Sequence, residues 1–182
     1  RDSAYFHSDT VQSMAHYPID LSKVPVHFVT CSAHKFHGPK GIGFLYVKSG
    51  VKIKPFVYGG AQERKVRSGT IPAAQIAGFG LAIELAVHHR SEVTERLDDL
   101  RSKFEQWIVA THGARINAAT EPRIPTVASV TLPGVNGEDL LIALDNLGVQ
   151  VSAGSACSAG VSRPSAVLKA IGFSDDETKS TL

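Results

Sequence analysis

Cysteine is scarce: Cys31 and Cys157 are the only two among 182 residues. Two are too few for a disulfide framework and suit a reducing cytoplasm. Long apolar runs are missing too. No stretch approaches the roughly 20 residues of a membrane span, and the opening RDSAYFHSD has no signal-peptide pattern. Charge of one sign is equally scarce. Net charge is +2, and no Lys/Arg block is long enough for a nucleic-acid footprint. These absences argue against membrane and nucleic-acid classes. What remains is a globular chain of one domain, or of one domain and part of another. Its first residue is not Met, and DETKSTL stops just past a helix-like segment. Both ends read as cut.

Strand-like and helix-like stretches alternate, which predicts α/β architecture. Residues 4–7 read as a short strand with Asp9 at its exit. Residues 26–32 (VHFVTCS) read as a buried strand, short and rich in β-branched and aromatic types. Residues 41–47 (GIGFLYV) read as another. Residues 73–110 have a helical pattern, with Pro72 expected in its first turn. The sequence does not decide whether His89-Arg90-Ser91 splits that helix. Val93, Leu97, Leu100, Phe104 and Trp107 step by four and three along one face, and core packing is the expected use. A loop rich in Gly, Asn and Pro over 111–125 is the expected domain boundary. Beyond it a strand (127–132), a helix (138–147, stopped by Gly148), a strand (149–152), the loop AGSACSAG and a helix from Pro164 to near Gly172 are predicted.

Four stretches could carry chemistry. In HSDTVQ (7–12), Asp9 ends a strand. Its commonest use would be to cap a helix through residues 11–14; the functional use is a carboxylate held for a cationic ligand atom. In SAHKFHGPKG (32–41), Lys35 falls at the carboxyl end of a strand, where α/β sheets bind ligands. It could be a solvated charge, a phosphate contact or an amine nucleophile, and Ser32 and His34 could bind an anion beside it. The spacing is not that of a P-loop. Cys31, His34 and His37 also raise a metal reading, but the spacing matches no common zinc pattern. In GGAQERKVRSGT (59–70), Arg and Thr could meet phosphate or carboxylate, against the commoner reading of a polar loop. In SAGSACSAG (152–160), Cys157 is flanked by nothing larger than Ser, so its thiol is sterically open; Cys31 reads as a small core residue.

In that order, these four motifs resemble the NifS/IscS-type cysteine desulfurases of the class V aminotransferase family, from about Tyr5 to Gly172. The resemblance implies the aspartate-aminotransferase-like fold of pyridoxal phosphate (PLP) enzymes. Residues 1–110 would be part of the PLP-binding large domain with its connecting helix, and residues 111–182 part of the small C-terminal domain. It implies that Lys35 holds the cofactor, Asp9 pairs with its pyridine nitrogen and Gln12 bonds its phenolic oxygen. Ser32 and His34 would contact its phosphate. Thr70 would reach the phosphate in a partner subunit, which implies a homodimer. Cys157 would take sulfur from L-cysteine as a persulfide, release L-alanine and pass the sulfur to an acceptor such as an iron–sulfur scaffold or a thiolation relay. A selenocysteine lyase, another enzyme of the class, or a noncatalytic fragment are the alternatives.

The family's chains are much longer. Its N-terminal part supplies a ring-stacking histidine, an Asn near the cofactor and a phosphate loop, and its C-terminal part supplies an arginine for the substrate carboxylate. Neither segment is recognised here, so the 182 residues by themselves are expected not to turn over cysteine. Ala33 also stands where the family often has Gly.

Overall fold

The computed structural model describes residues 4–153 and 165–182. The chain divides into two compact units, residues 1–94 and 95–182.

The first unit is built on a three-stranded sheet in the order β1-β2-β3, with β1 at His7–Asp9, β2 at Phe28–Ser32 and β3 at Gly43–Val47. β1 lies parallel to β2, with Asp9 opposite Thr30, and β3 is antiparallel to β2, with Gly43 opposite Ser32. β2 alternates buried and half-buried residues, Val29 and Cys31 pointing inward, as a strand with one better-covered face must. A 3-10 turn, Ala33–Phe36, follows β2 directly and ends at His37 in the left-handed region, φ 67°.

The core of this unit joins Cys31, Ala33 and Phe36 to Phe79 and Ala82 of the long helix α1, Ala73–His112. The Phe79 ring lies 5.9 Å from Phe36 and 6.1 Å from Phe44. Such contacts add to the area term of aromatic burial. The two ends of the GPKGIG segment explain its glycines. A Cβ at Gly38 would come within 2.8 Å of Ala33 Cβ, and one at Gly43 would run into the Cys31 carbonyl oxygen. The segment must therefore press closely on the end of β2.

The second unit contains β4 (Arg115–Ile116) and β5 (Val130–Thr131), antiparallel to each other. Residues 180–182 run along β5: Val130 N–H donates to Leu182 O and Leu132 N–H to Ser180 O, both at 2.8 Å. Ile108, Ala114 and Val130 form its buried cluster. Beside them a polar chain is buried but satisfied. Thr131 Oγ1 donates to Asn117 Oδ1 at 3.0 Å and lies 2.7 Å from Thr181 Oγ1. Buried hydroxyls without such partners would be costly. Helices α2 (Gly137–Asn146), α3 (Ala166–Ala170) and α4 (Asp175–Lys179) complete the unit. Ser174 and Glu177 close a capping box on α4. The Ser174 N–H and hydroxyl, with Arg115, hold the Glu177 carboxyl below its usual range.

Several expectations change. Helix α1 runs unbroken through residues 89–91; His-Arg-Ser contains no helix breaker. Pro72 precedes the helix rather than sitting in its first turn, and its carbonyl accepts from Ile76 N–H. The stripe expected in the core is half exposed, with Leu100 at 51% and Trp107 at 54%. Residues 149–152 form no strand; Val149 and Val151 are exposed, and β-branched residues make a strand only where a partner supplies hydrogen bonds. The 111–125 stretch contains the short strand β4. Helix α2 ends as its sequence implies, with Gly148 at φ 77° just past it. No helix among the described residues is long and apolar enough to cross a membrane.

Gly43→Ala should cost about 1–3 kcal/mol, the usual range for overpacking. It should appear as a lower urea midpoint with an unchanged slope. An unchanged midpoint would mean that β2 and β3 can part at that point without penalty.

Candidate functional site

β1 and β2 run the same way, so their carboxyl ends share one edge of the sheet. Three of the candidate residues come to that edge. Asp9 is the last residue of β1, Ser32 the last of β2, and Lys35 lies in the turn that follows Ser32. Asp9 caps a turn instead of a regular helix: its Oδ1 accepts from Val11 N–H at 2.9 Å. Turn hydrogen bonds then carry the chain through residues 13–17. Asp9 is close enough to Cys31 for its charge to push that thiol up.

Thr10 secures the edge. Its N–H and its hydroxyl both donate to Thr30 O, at 3.0 and 2.8 Å. Thr10 is itself buried. His7 Nε2 lies 3.3 Å from Thr30 Oγ1, one further tie between the strands. The sequence reading had passed over Thr10 and Thr30. Nothing local marks Thr10 for this role, because its partner carbonyl lies twenty residues away on the neighbouring strand.

Lys35 and His34 are exposed on the 3-10 turn, and Gln12 is exposed on the turn after Asp9. Ser32 occupies the N-cap position of the 3-10 turn, but its hydroxyl makes no cap hydrogen bond. The edge thus offers an amine, a carboxylate and an uncommitted hydroxyl. This donor set fits a ring cation, a carbonyl carbon and a phosphate, the three features of PLP that a protein must meet.

Thr70 belongs to a different element, the loop between the 3-10 turn Glu63–Lys65 and α1. That turn is left-handed, with Glu63, Arg64 and Lys65 at φ 46°, 56° and 67°. Non-glycine residues hold such angles only where neighbours enforce them. Here Ser68 Oγ donates to Gly60 O at 2.7 Å, and Gly69 N–H donates to Gln62 Oε1 at 3.2 Å. Gln62 and Ser68 are loop-shaping residues that the sequence reading missed. Thr70 itself is exposed.

Cys31 and Cys157 differ. Cys31 is 4% exposed in the core, and burial first, then the Asp9 charge, pushes its thiol up against a Ser32 N–H that lowers it. A thiolate there is disfavoured, so Cys31 is inert. Cys157 lies outside the described residues, as do Pro164 and most of the AGSACSAG loop. His27 Nδ1 accepts from Phe6 N–H, and no group of three metal-capable side chains converges among the described residues.

The aminotransferase class-V family matches residues 1–174. A cysteine desulfurase IscS of Dictyoglomus turgidum is 42% identical over 168 residues, 92% of this chain and 43% of that protein. One from Clostridium botulinum strain Kyoto is 40% identical over 181 residues, 98% of this chain and 46% of that protein. Among solved structures, a NifS-like protein of Rickettsia africae superposes with a TM-score of 0.86 at 33% identity, covering 97% of this chain and 46% of that one. The chain therefore spans about half the length of the relatives it matches.

In a Cys157→Ser variant, iodoacetamide should modify Cys31 more slowly in the folded chain than in urea, because burial both shields the thiol and disfavours its thiolate. Equal rates would mean that the end of β2 is open.

Proposed function

Since the chain belongs to the aminotransferase class-V family, with its match over residues 1–174, we propose that it carries the lysine and the thiol of a PLP-dependent cysteine desulfurase. The observation that supports this best is the shared edge of β1 and β2, which gathers Asp9, Ser32 and Lys35. On this reading residues 1–110 belong to a cofactor-binding large domain and residues 111–182 to a small C-terminal domain. The family's cofactor, when bound, supplies an electron sink for bond breaking in an amino-acid substrate.

The chain's own residues take the remaining tasks. Asp9 keeps a proton on the pyridine nitrogen, because a carboxylate beside a cation favours the charged form. The Oδ1 that accepts from Val11 N–H fixes its direction. Gln12 bonds the phenolic oxygen, and Ser32 and His34 hold the phosphate. Lys35 anchors the cofactor through its amine and moves a proton at the substrate Cα. Its exposed position on a turn lets it leave one partner and serve the other. Thr70 completes the phosphate site of a second subunit in a homodimer.

Cys157 accepts the sulfur. Its Sγ forms a bond to the sulfur of L-cysteine as the substrate's C–S bond breaks, giving L-alanine and a persulfide on Cys157. With nothing larger than Ser beside Cys157 in the sequence, that persulfide is sterically open to an acceptor protein. An iron–sulfur scaffold is the acceptor class we favour, in keeping with the IscS names of the relatives. With two cysteines in the chain, we take the compartment to be the cytoplasm.

In the protein that contains these residues, Lys35→Ala should lower alanine formation from L-cysteine by about 10²–10⁴-fold, as expected for losing a positioned acid/base. Cys157→Ser should abolish sulfur transfer to an acceptor while leaving cofactor uptake intact. Undiminished transfer by Cys157→Ser would contradict the role given to that thiol.

A further inference from the structure

Two histidines stand on the seam between β1 and β2, and their partners differ in kind. His7 Nε2 lies 3.3 Å from Thr30 Oγ1. A hydroxyl can donate or accept, so that contact suits a neutral or a protonated ring. His27 directly precedes β2, and its Nδ1 accepts from Phe6 N–H at 3.0 Å. A backbone N–H can only donate. His27 Nδ1 therefore carries no proton, which fixes a neutral ring with its hydrogen on Nε2.

The bond sits where the strand pairing begins. Phe6 O accepts from His27 N–H at 2.8 Å and from Phe28 N–H at 3.2 Å. The first pair of the ladder, His7 with Phe28, follows. Both backbone groups of Phe6 are thus taken by residues 27 and 28, and the imidazole fills the place of a strand carbonyl. The Tyr5 ring meets His27 edge-on at 5.4 Å and Phe28 at 5.7 Å. From the β3 side, Lys48 N–H donates to His27 O at 2.9 Å, so the backbone that carries the ring is held from both neighbours. The titratable side chains on these packed segments are Tyr5, His7, Tyr46 and Lys48, and no acidic residue occurs in 4–8, 24–30 or 43–49. A protonated ring finds no carboxylate on them to offset the lost bond.

We propose that His27 is a pH-operated latch on the start of β1. The neutral ring holds the Phe6 N–H. A proton gained at Nδ1 sets one N–H against another, and the bond is lost. Imidazole is the side chain that makes this change between about pH 8 and pH 5. The latched form excludes the proton and the released form accepts it, so release grows as pH falls. Release is confined to the entry of the strand. At its exit the Thr10 N–H and hydroxyl both donate to Thr30 O, and neither group titrates in that range. β1 therefore has one end whose hold depends on pH and another, next to Asp9, whose hold does not. The inference is independent of the roles given to Asp9, Lys35 and Cys157.

The test is amide hydrogen exchange on the protein that contains these residues, at about pH 7.5 and about pH 5.5, on either side of imidazole protonation. Single residues are resolved by fragmentation in the mass spectrometer. Each rate is compared with that of the unfolded chain at the same pH, which removes the intrinsic effect of pH on exchange. Protection at Phe6 should fall about two- to tenfold from the higher pH to the lower, the range expected for losing one hydrogen bond. Protection at Thr10 should not change. His27→Ala should show at both pH values the low protection that the unsubstituted protein reaches in acid. His27→Asn, whose side-chain oxygen accepts but takes up no proton in this range, should stay protected at both. Equal protection of Phe6 at the two pH values in the unsubstituted protein overturns the proposal. So does a fall with pH that survives in His27→Ala or His27→Asn, and so does full protection of Phe6 in His27→Ala at the higher pH.

Discussion

The parallel pairing of β1 with β2 is the constraint on which the site depends. Two strands that run the same way end at the same edge, and here the register sets Asp9 against Thr30. The double donation from Thr10 to the Thr30 carbonyl pins that register at the point where the strands give way to turns. A shift by one residue would carry Asp9 to the other face of the sheet, since side chains alternate along a strand. The carboxylate and the amine are brought to one edge by backbone pairing, with no direct bond between them.

The close approach of the GPKGIG segment follows from the same arrangement. Lys35 sits in a short turn directly after β2, and the chain must then reverse into β3. Gly38 and Gly43 let the backbone return against Ala33 and the Cys31 carbonyl. Phe36, Phe44 and Phe79 fill the space beneath. Lys35 is thus exposed while Ala33 and Phe36 of the same turn are buried. An exposed amine on a packed base suits the anchoring role proposed for Lys35.

Much of this was legible in the sequence because local chemistry and tertiary structure agreed. The apolar run before Ser32 formed β2, GFLYV formed β3, and Gly148 stopped α2. The order of four motifs along the chain pointed to the family, which its match and its relatives then bore out. What local patterns could not convey was non-local. Whether Val149 and Val151 pair depends on a neighbouring strand, and Arg115-Ile116 is too short to have a period. The stripe from Val93 to Trp107 has core spacing, but spacing alone does not say whether anything covers it. Thr10, Gln62 and Ser68 act through bonds to backbone seven to twenty residues away, a signal that composition does not contain.

In the function proposed above, the edge formed by β1 and β2 presents Lys35 to hold the cofactor. The most direct measurement is borohydride reduction of the protein in the presence of PLP, followed by peptide mass mapping. A reduced pyridoxyl group should appear on the peptide containing Lys35 and on no other lysine. No adduct, or label spread over many lysines, would contradict it.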